Sequence, residues 1–409
     1  MSNNIPEIRF KGFTHAWEQR TLGEMAEETY GGGTPSTSNE AYWNGTIPWI
    51  QSSDLVEHQL FGVSPRKYIT ESGVCSSAAK LVPKNSIAIV TRVGVGKLAT
   101  IPFTFATSQD FLSLSNLKYE IWFCTYSLYK KLQRDIDAVQ GTSIKGITKN
   151  ELLSKSIYAP LDISEQTTIG NFFHTLDDTI TLHKRKLEGL KELKRGYLQQ
   201  MFPKVGERVP RVRFAGFTGD WKMCKLGDVV EHIKRKNKGL ESSLALTISA
   251  QYGLLAQKVF FQQEVASKDV SNYYLVKNGE FAYNKSYSKG YPWGAVKRLE
   301  NYEMGVLSTL YIVFKPINID SGFLAQYYET THWHNEVAQY AAEGARNHGL
   351  LNIATSDFFD TMLIMPTNSN EQAVIGDFFL MLDGQIMAQE QKLSQLKQLK
   401  SAYLQKMFV

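Results

Sequence analysis

Three short words in the chain have residue types that could support catalysis. Gly94-Val95-Gly96-Lys97 has the glycines and lysine of a phosphate cradle. Its spacing is not that of a nucleotide-binding P-loop, and Leu98 stands where a magnesium-binding hydroxyl would be needed. Gly31-Gly32-Gly33 could open a cofactor turn, but it runs into Thr34-Pro35-Ser36 and not into a helix, so it reads as a loop. His332 and His334 flank Trp333 on a predicted helix, where residues two apart point to different sides. Cys75, Cys124 and Cys224 are scattered, which argues against both a disulfide framework and a zinc site. No catalytic constellation and no metal site emerges.

Residues suited to nucleic acid are better represented. Lys285-Ser286-Tyr287-Ser288-Lys289-Gly290 interleaves cations with hydroxyls, and Arg346-Asn347-His348 offers the side chains that pair with guanine and adenine edges in the major groove. The first half of the chain places Arg92 and Lys97 in one Gly-rich loop and Thr142, Ser143 and Lys145 in a second. Thr34, Ser36, Lys234 and Arg235 add further phosphate-type donors. Any one of these loops alone is an ordinary solvated turn. Two blocks carrying polar or basic loops at the same two places favour contact with DNA. A net charge of +5 and a pI near 8.8 permit this without demanding it.

The elements that must hold these loops follow a common order. Lys84-Asn85-Ser86 and Lys277-Asn278-Gly279 read as turns feeding strands over 87–91 and 280–284, and each strand enters its basic loop. Further strands end near 113–117 and 311–314. Helices are expected over 121–139 and 322–342, each stopped by a glycine (Gly141, Gly344), with the second polar loop next. Both blocks therefore have a mixed α/β plan and differ in their loops, as two binding modules for different ligands would.

A long amphipathic helix follows each block. In the first, Ile169, Phe173, Leu176, Ile180, Leu187, Leu190, Tyr197 and Met201 form a seam, with His183 and Lys194 completing the alternating 3/4 spacing of a coiled coil. Ser164 is the expected N-cap and Pro203 the stop. At roughly 58 Å such a helix cannot bury its seam alone. Its partner recurs 206 positions later as Ile375, Phe379, Leu382, Ile386, Leu393, Leu396, Tyr403 and Met407, and polar residues match as well, Glu165-Gln166 with Glu371-Gln372. A leader, Arg9-Phe10-Lys11-Gly12-Phe13 with Trp17, returns 204 positions later as Arg213-Phe214-Ala215-Gly216-Phe217 with Trp221. Thr21 to Glu24 fits a capping box, whereas Lys225 makes the second helix start weaker. Identity at so many spaced positions points to an internal duplication.

The 409 residues suffice for two or three domains. They contain no apolar run long enough to span a membrane and no basic-then-apolar leader, so a cytoplasmic protein is expected.

The doubled RF-x-GF-x-x-x-W leader, Gly33-Thr34-Pro35-Ser36 with Ile47-Pro48-Trp49, Ile248-Ser249-Ala250-Gln251-Tyr252-Gly253 and the doubled Glu-Gln–Ile-Gly–Phe-Phe helix together resemble the specificity subunits of type I restriction–modification enzymes, over essentially the whole chain. The resemblance implies an α+β fold: two mixed α/β target recognition domains separated by two long antiparallel helices, a coiled coil, with pseudo-twofold repetition. On the chain this gives leaders at 1–23 and 204–227, recognition domains at 24–159 and 228–365, and long helices at 160–203 and 366–409. It also implies a non-catalytic subunit of a host-defence complex. Its partners would be double-stranded DNA, two modification (adenine methyltransferase) subunits and a restriction (motor–nuclease) subunit. S-adenosylmethionine, ATP and magnesium would sit on those partners and not on this chain. The target would be bipartite and asymmetric, and its sequence does not carry over from relatives. The competing readings are a stand-alone DNA methyltransferase or nuclease, testable by activity of the pure chain, and a coiled-coil scaffold, testable by loss of duplex binding.

Overall fold

The computed structural model describes residues 4–138, 146–263, 266–267, 269–288, 290–340, 351 and 353–409. The chain divides into two compact units, Met1–Lys184 with Gln391–Val409, and Arg185–Glu390. These units cut across the helical segments 160–203 and 366–409, because each long helix gives its first part to one unit and its last part to the other.

The first unit is built on strands β1 (Ala26–Gly31), β2 (Ser86–Val90), β3 (Leu98–Ile101) and β4 (Phe111–Leu117), in the antiparallel order β1-β4-β2-β3. Every residue of β2 is buried. Alternate side chains enter different cores: Ile87 and Ile89 join Phe123 and Phe173, whereas Ala88 and Val90 join Ile50, Leu55 and Phe105. The turn before β2 is set by Asn85, in the left-handed region at φ +59°. Helix α1 (Ile121–Ala138) covers the first of these cores, and helix α2 (Ile163–Gln200) begins there.

The second unit repeats the sheet as β5 (Val230–His232), β6 (Phe281–Asn284), β7 (Ala295–Arg298) and β8 (Ile312–Pro316), in the order β5-β8-β6-β7. Here the expected helix over 322–342 is broken into α3 (Ser321–Tyr327) and α4 (His332–Tyr340). Side chains take the backbone groups at the break: Thr330 Oγ1 donates to the Tyr327 carbonyl at 2.6 Å, and Trp333 Nε1 donates to that of Tyr328 at 3.1 Å. The expected stops at Gly141 and Gly344 lie outside the described residues. Helix α5 (Ser369–Lys406), like α2, is 38 residues long, about 57 Å. Among the described residues no helix is long and apolar enough to cross a membrane.

Asp162, and not Ser164, caps α2: its carboxylate accepts from the Ser164 backbone N–H at 2.8 Å. Asn368 does the same for Asn370 in α5. Ile169, Phe173, Leu176 and Leu187 are buried on α2, as are Ile375, Phe379, Leu382, Leu393 and Leu396 on α5, and Met201 and Met407, each one residue past its helix, are buried too. Ile180, Leu190, Tyr197, Ile386 and Tyr403 are half-buried. Within the first unit α2 and the end of α5 run antiparallel: Phe172 meets Tyr403, and Asp177 pairs with Lys400. Within the second, Tyr197 meets Phe378, and Lys194 pairs with Asp383 at 2.6 Å.

The matched polar residues of the repeat form clamps. Glu165, 1% exposed, accepts from Arg9 Nε at 2.6 Å, Arg9 Nη2 at 2.7 Å and Trp17 Nε1 at 3.2 Å. Glu371 accepts from Arg213 Nε and Nη2 at 2.7 and 2.8 Å and from Trp221 Nε1 at 3.4 Å. Gln166 accepts from the Glu120 backbone N–H and donates to the Pro160 carbonyl; Gln372 does the same with Asp320 and Pro366, all at 2.8 Å. Each leader is thereby fastened to the start of one long helix. It also rests on the end of the other: Trp17 on Phe408, and Trp221 on Phe202.

Candidate nucleic-acid interface

In the first unit the described parts of the chosen loops meet at one end of the sheet. Thr91, just past β2, donates its backbone N–H to the Asp110 carbonyl at 2.7 Å and accepts at its own carbonyl from Ile147 at 2.7 Å. The loop Arg92–Lys97 and the chain resuming at Gly146 therefore meet the end of β2 together. The same end holds the Gly33–Ser36 loop. Gly33 donates to the Thr107 carbonyl at 2.9 Å, and the Thr34 hydroxyl donates to Gln109 Oε1. Two indoles fasten this loop from below, Trp49 Nε1 to the Gly33 carbonyl and Trp43 Nε1 to that of Ser36, each at 3.0 Å. A Cβ on Gly33 would stand 2.2 Å from the Ala78 carbonyl carbon, so only glycine fits there. Thr34, Ser36 and Arg92 are exposed.

The second unit has the same junction. Lys285, just past β6, accepts at its carbonyl from the backbone N–H of Leu351 at 2.9 Å. The start of the basic loop after β6 is thus tied to Leu351. Tyr287 and Lys234 are exposed.

Several chosen cations are instead turned to the protein. Lys97 Nζ donates to the Leu55 carbonyl at 3.2 Å and Lys285 Nζ to that of Ile353 at 3.4 Å. Arg235 Nη2 lies 2.9 and 2.7 Å from the two oxygens of Glu280 and 3.1 Å from the Leu275 carbonyl. The Lys97 and Lys285 ammonium groups are thus held by backbone carbonyls, and the Arg235 guanidinium is paired with a carboxylate. Thr142, Ser143, Lys145, Lys289, Arg346, Asn347 and His348 lie outside the described residues. Sequence reasoning missed Gln109, which carries no motif, and the two tryptophans that hold the loop, whose spacing of six was the available signal.

His332 and His334 flank the buried Trp333 on α4. Burial holds both below the ordinary histidine value, and at His332 a hydrogen bond with the Pro203 backbone opposes the shift. Among the described residues no group of three or more His, Cys, Asp or Glu side chains could hold a metal ion.

The type I restriction modification DNA specificity domain matches residues 15–192. The specificity subunit of the Escherichia coli type I enzyme EcoR124I/EcoR124II is 35% identical over 179 residues, 40% of this chain and 42% of that protein. That of the Methanocaldococcus jannaschii enzyme MjaIX is 26% identical over 180 residues, 43% of this chain and 41% of that protein. The matched stretch thus spans less than half the length of either relative. In fold the likeness runs the whole length. The S subunit of a type I restriction–modification system from M. genitalium covers 99% of both chains with a TM-score of 0.63 at 15% identity. A chain from a structure of complex assembly and conformational transition of the type I R-M system covers 96% of this chain and 97% of its own, with a TM-score of 0.53 at 15% identity. The domain match over residues 15–192 and the relatives liken the first part of the chain to the specificity subunits of type I restriction–modification enzymes, and the fold is shared with such a subunit along the whole chain.

Proposed function

We propose that this chain is the DNA-reading subunit of a type I restriction–modification complex and performs no chemistry itself. Each unit reads one half of a bipartite, asymmetric duplex site through the loops at the Thr91 end of the first sheet and the Lys285 end of the second. The observation that carries this reading is the repeated junction Thr91–Ile147 and Lys285–Leu351, which gives two different sets of loops the same framework. Exposed hydroxyls and cations position the backbone and reach base edges.

The parts repeated in both halves, the leaders and long helices, are the docking surfaces for two modification subunits, and a restriction subunit completes the complex. Those subunits bring S-adenosylmethionine, ATP and magnesium, and the adenine in each half-site is flipped out of the stack and methylated there. The complex works in the cytoplasm. The test is methyl transfer to duplex DNA by the purified chain alone, by the modification subunits alone and by the two together. Transfer only by the mixture is expected. Transfer by the chain alone would place an active site on it.

A further inference from the structure

We propose that Lys67 is a phosphate contact for duplex DNA, its ammonium stationed on the faces of Trp43 and Trp49; this rests on the reading of the first unit as a DNA-binding unit. Lys67 belongs to a short strand, Lys67–Ile69, paired antiparallel with Trp43–Ile50, and it stands opposite Trp49 in the register. The two indoles pack edge to face, centroids 5.1 Å apart at 88°. The Lys67 Nζ lies 5.6 Å from the Trp43 centroid and 5.8 Å from that of Trp49, both within cation–π range.

The same rings hold the Gly33–Ser36 loop through their N–H groups. The loop and the cation therefore share one rigid base, and the exposed Thr34 and Ser36 hydroxyls lie on the loop that this base holds.

Lys67 differs from its neighbours in how its charge is used. Arg66 is bonded to Asp54 and Ser53, and Lys236, which lies 3.9 Å over Tyr274, donates to the Asn272 carbonyl. Lys67 is exposed, and among the described residues its ammonium has no carboxylate partner and no hydrogen-bond acceptor. Ring faces attract a cation without neutralising it, so the full charge stays available. They also restrict the side chain in advance, which lowers the entropic cost of meeting a phosphate. A phosphate contact fixes register and carries no base information. Lys67 thus governs affinity and not the sequence read.

The experiment measures binding of the full chain, co-purified with its modification subunits, to a 40-base-pair duplex across a salt series. Lys67→Ala is expected to lower the log–log salt slope by about 0.9 and to weaken target and random duplex by the same factor. Lys67→Arg, which keeps the charge, is expected to restore the slope. An unchanged slope in Lys67→Ala, or a loss that Lys67→Arg does not restore, overturns the assignment of Lys67. Absence of salt-dependent binding by the unaltered complex overturns instead the DNA-binding reading on which it rests.

Discussion

The Arg9 guanidinium meets the Glu165 carboxylate through two N–H···O bonds, although the two residues stand 156 positions apart in the sequence. Glu165 is 1% exposed and Arg9 10%. Removing one partner strands the other as a buried charge. Arg9→Ala is expected to destabilise the first unit by about 3–5 kcal/mol, and Arg9→Lys also to destabilise it, because an ammonium cannot reproduce the fork. The double change Arg9→Met with Glu165→Gln is expected to cost less than Arg9→Ala alone. Urea unfolding followed by tryptophan fluorescence checks the order; a harmless Arg9→Ala would show that the clamp contributes nothing.

The long helices offer an internal control. Leu393 is 8% exposed on α5, whereas Leu399 on the same helix is 44% exposed. Leu393→Asp is expected to cost about 3–5 kcal/mol, from lost packing and a buried charge. Leu399→Asp should stay within roughly 0.5 kcal/mol. Leu187→Asp should match Leu393→Asp. Thermal unfolding measures all three, and equal effects at 393 and 399 would rule out the seam.

Histidines His232, His332 and His334 all lie in the second unit, and burial depresses each below the ordinary value of 6.5. Between the lowered values and 6.5 the unfolded chain binds more protons than the folded one, so stability rises with pH through that window and is lost on acidification. The second unit is expected to lose stability as pH falls below 6.5. In the triple His→Gln variant that dependence should be flatter. Guanidinium midpoints measured from pH 5 to 7.5 decide it; identical profiles would mean the histidines are as solvated as in the unfolded chain.

The duplication was legible because the matched positions included Glu165-Gln166 and Glu371-Gln372, polar pairs with no place in a bare apolar seam. The structure supplies their reason: they bind the leader and the turn before α1 or α3. Arg9 and Arg213 were visible as repeated words, but their bond to a residue far along the chain was not, since it depends on how the leader returns to the helix. Strands β2 and β6 were legible from alternation and from the Asn85 and Gly279 turns, whereas β1 and β5 were not. The break between α3 and α4 was hidden because Thr330 competes for backbone groups only once Tyr327 is placed. Lys97, Lys285 and Arg235 looked like a basic face because composition does not show which way a long side chain turns.

The most direct measurement is single-molecule mapping of methylated adenines in cells expressing this chain with its modification partner. The parent chain is compared with a variant carrying Thr34→Ala, Ser36→Ala and Arg92→Ala, all in the first unit. The parent is expected to give a two-part asymmetric motif. The variant should relax or lose one part and leave the other part unchanged. A continuous palindromic motif in the parent, or a variant that alters neither part or both parts alike, would contradict the assignment of one half-site to each unit.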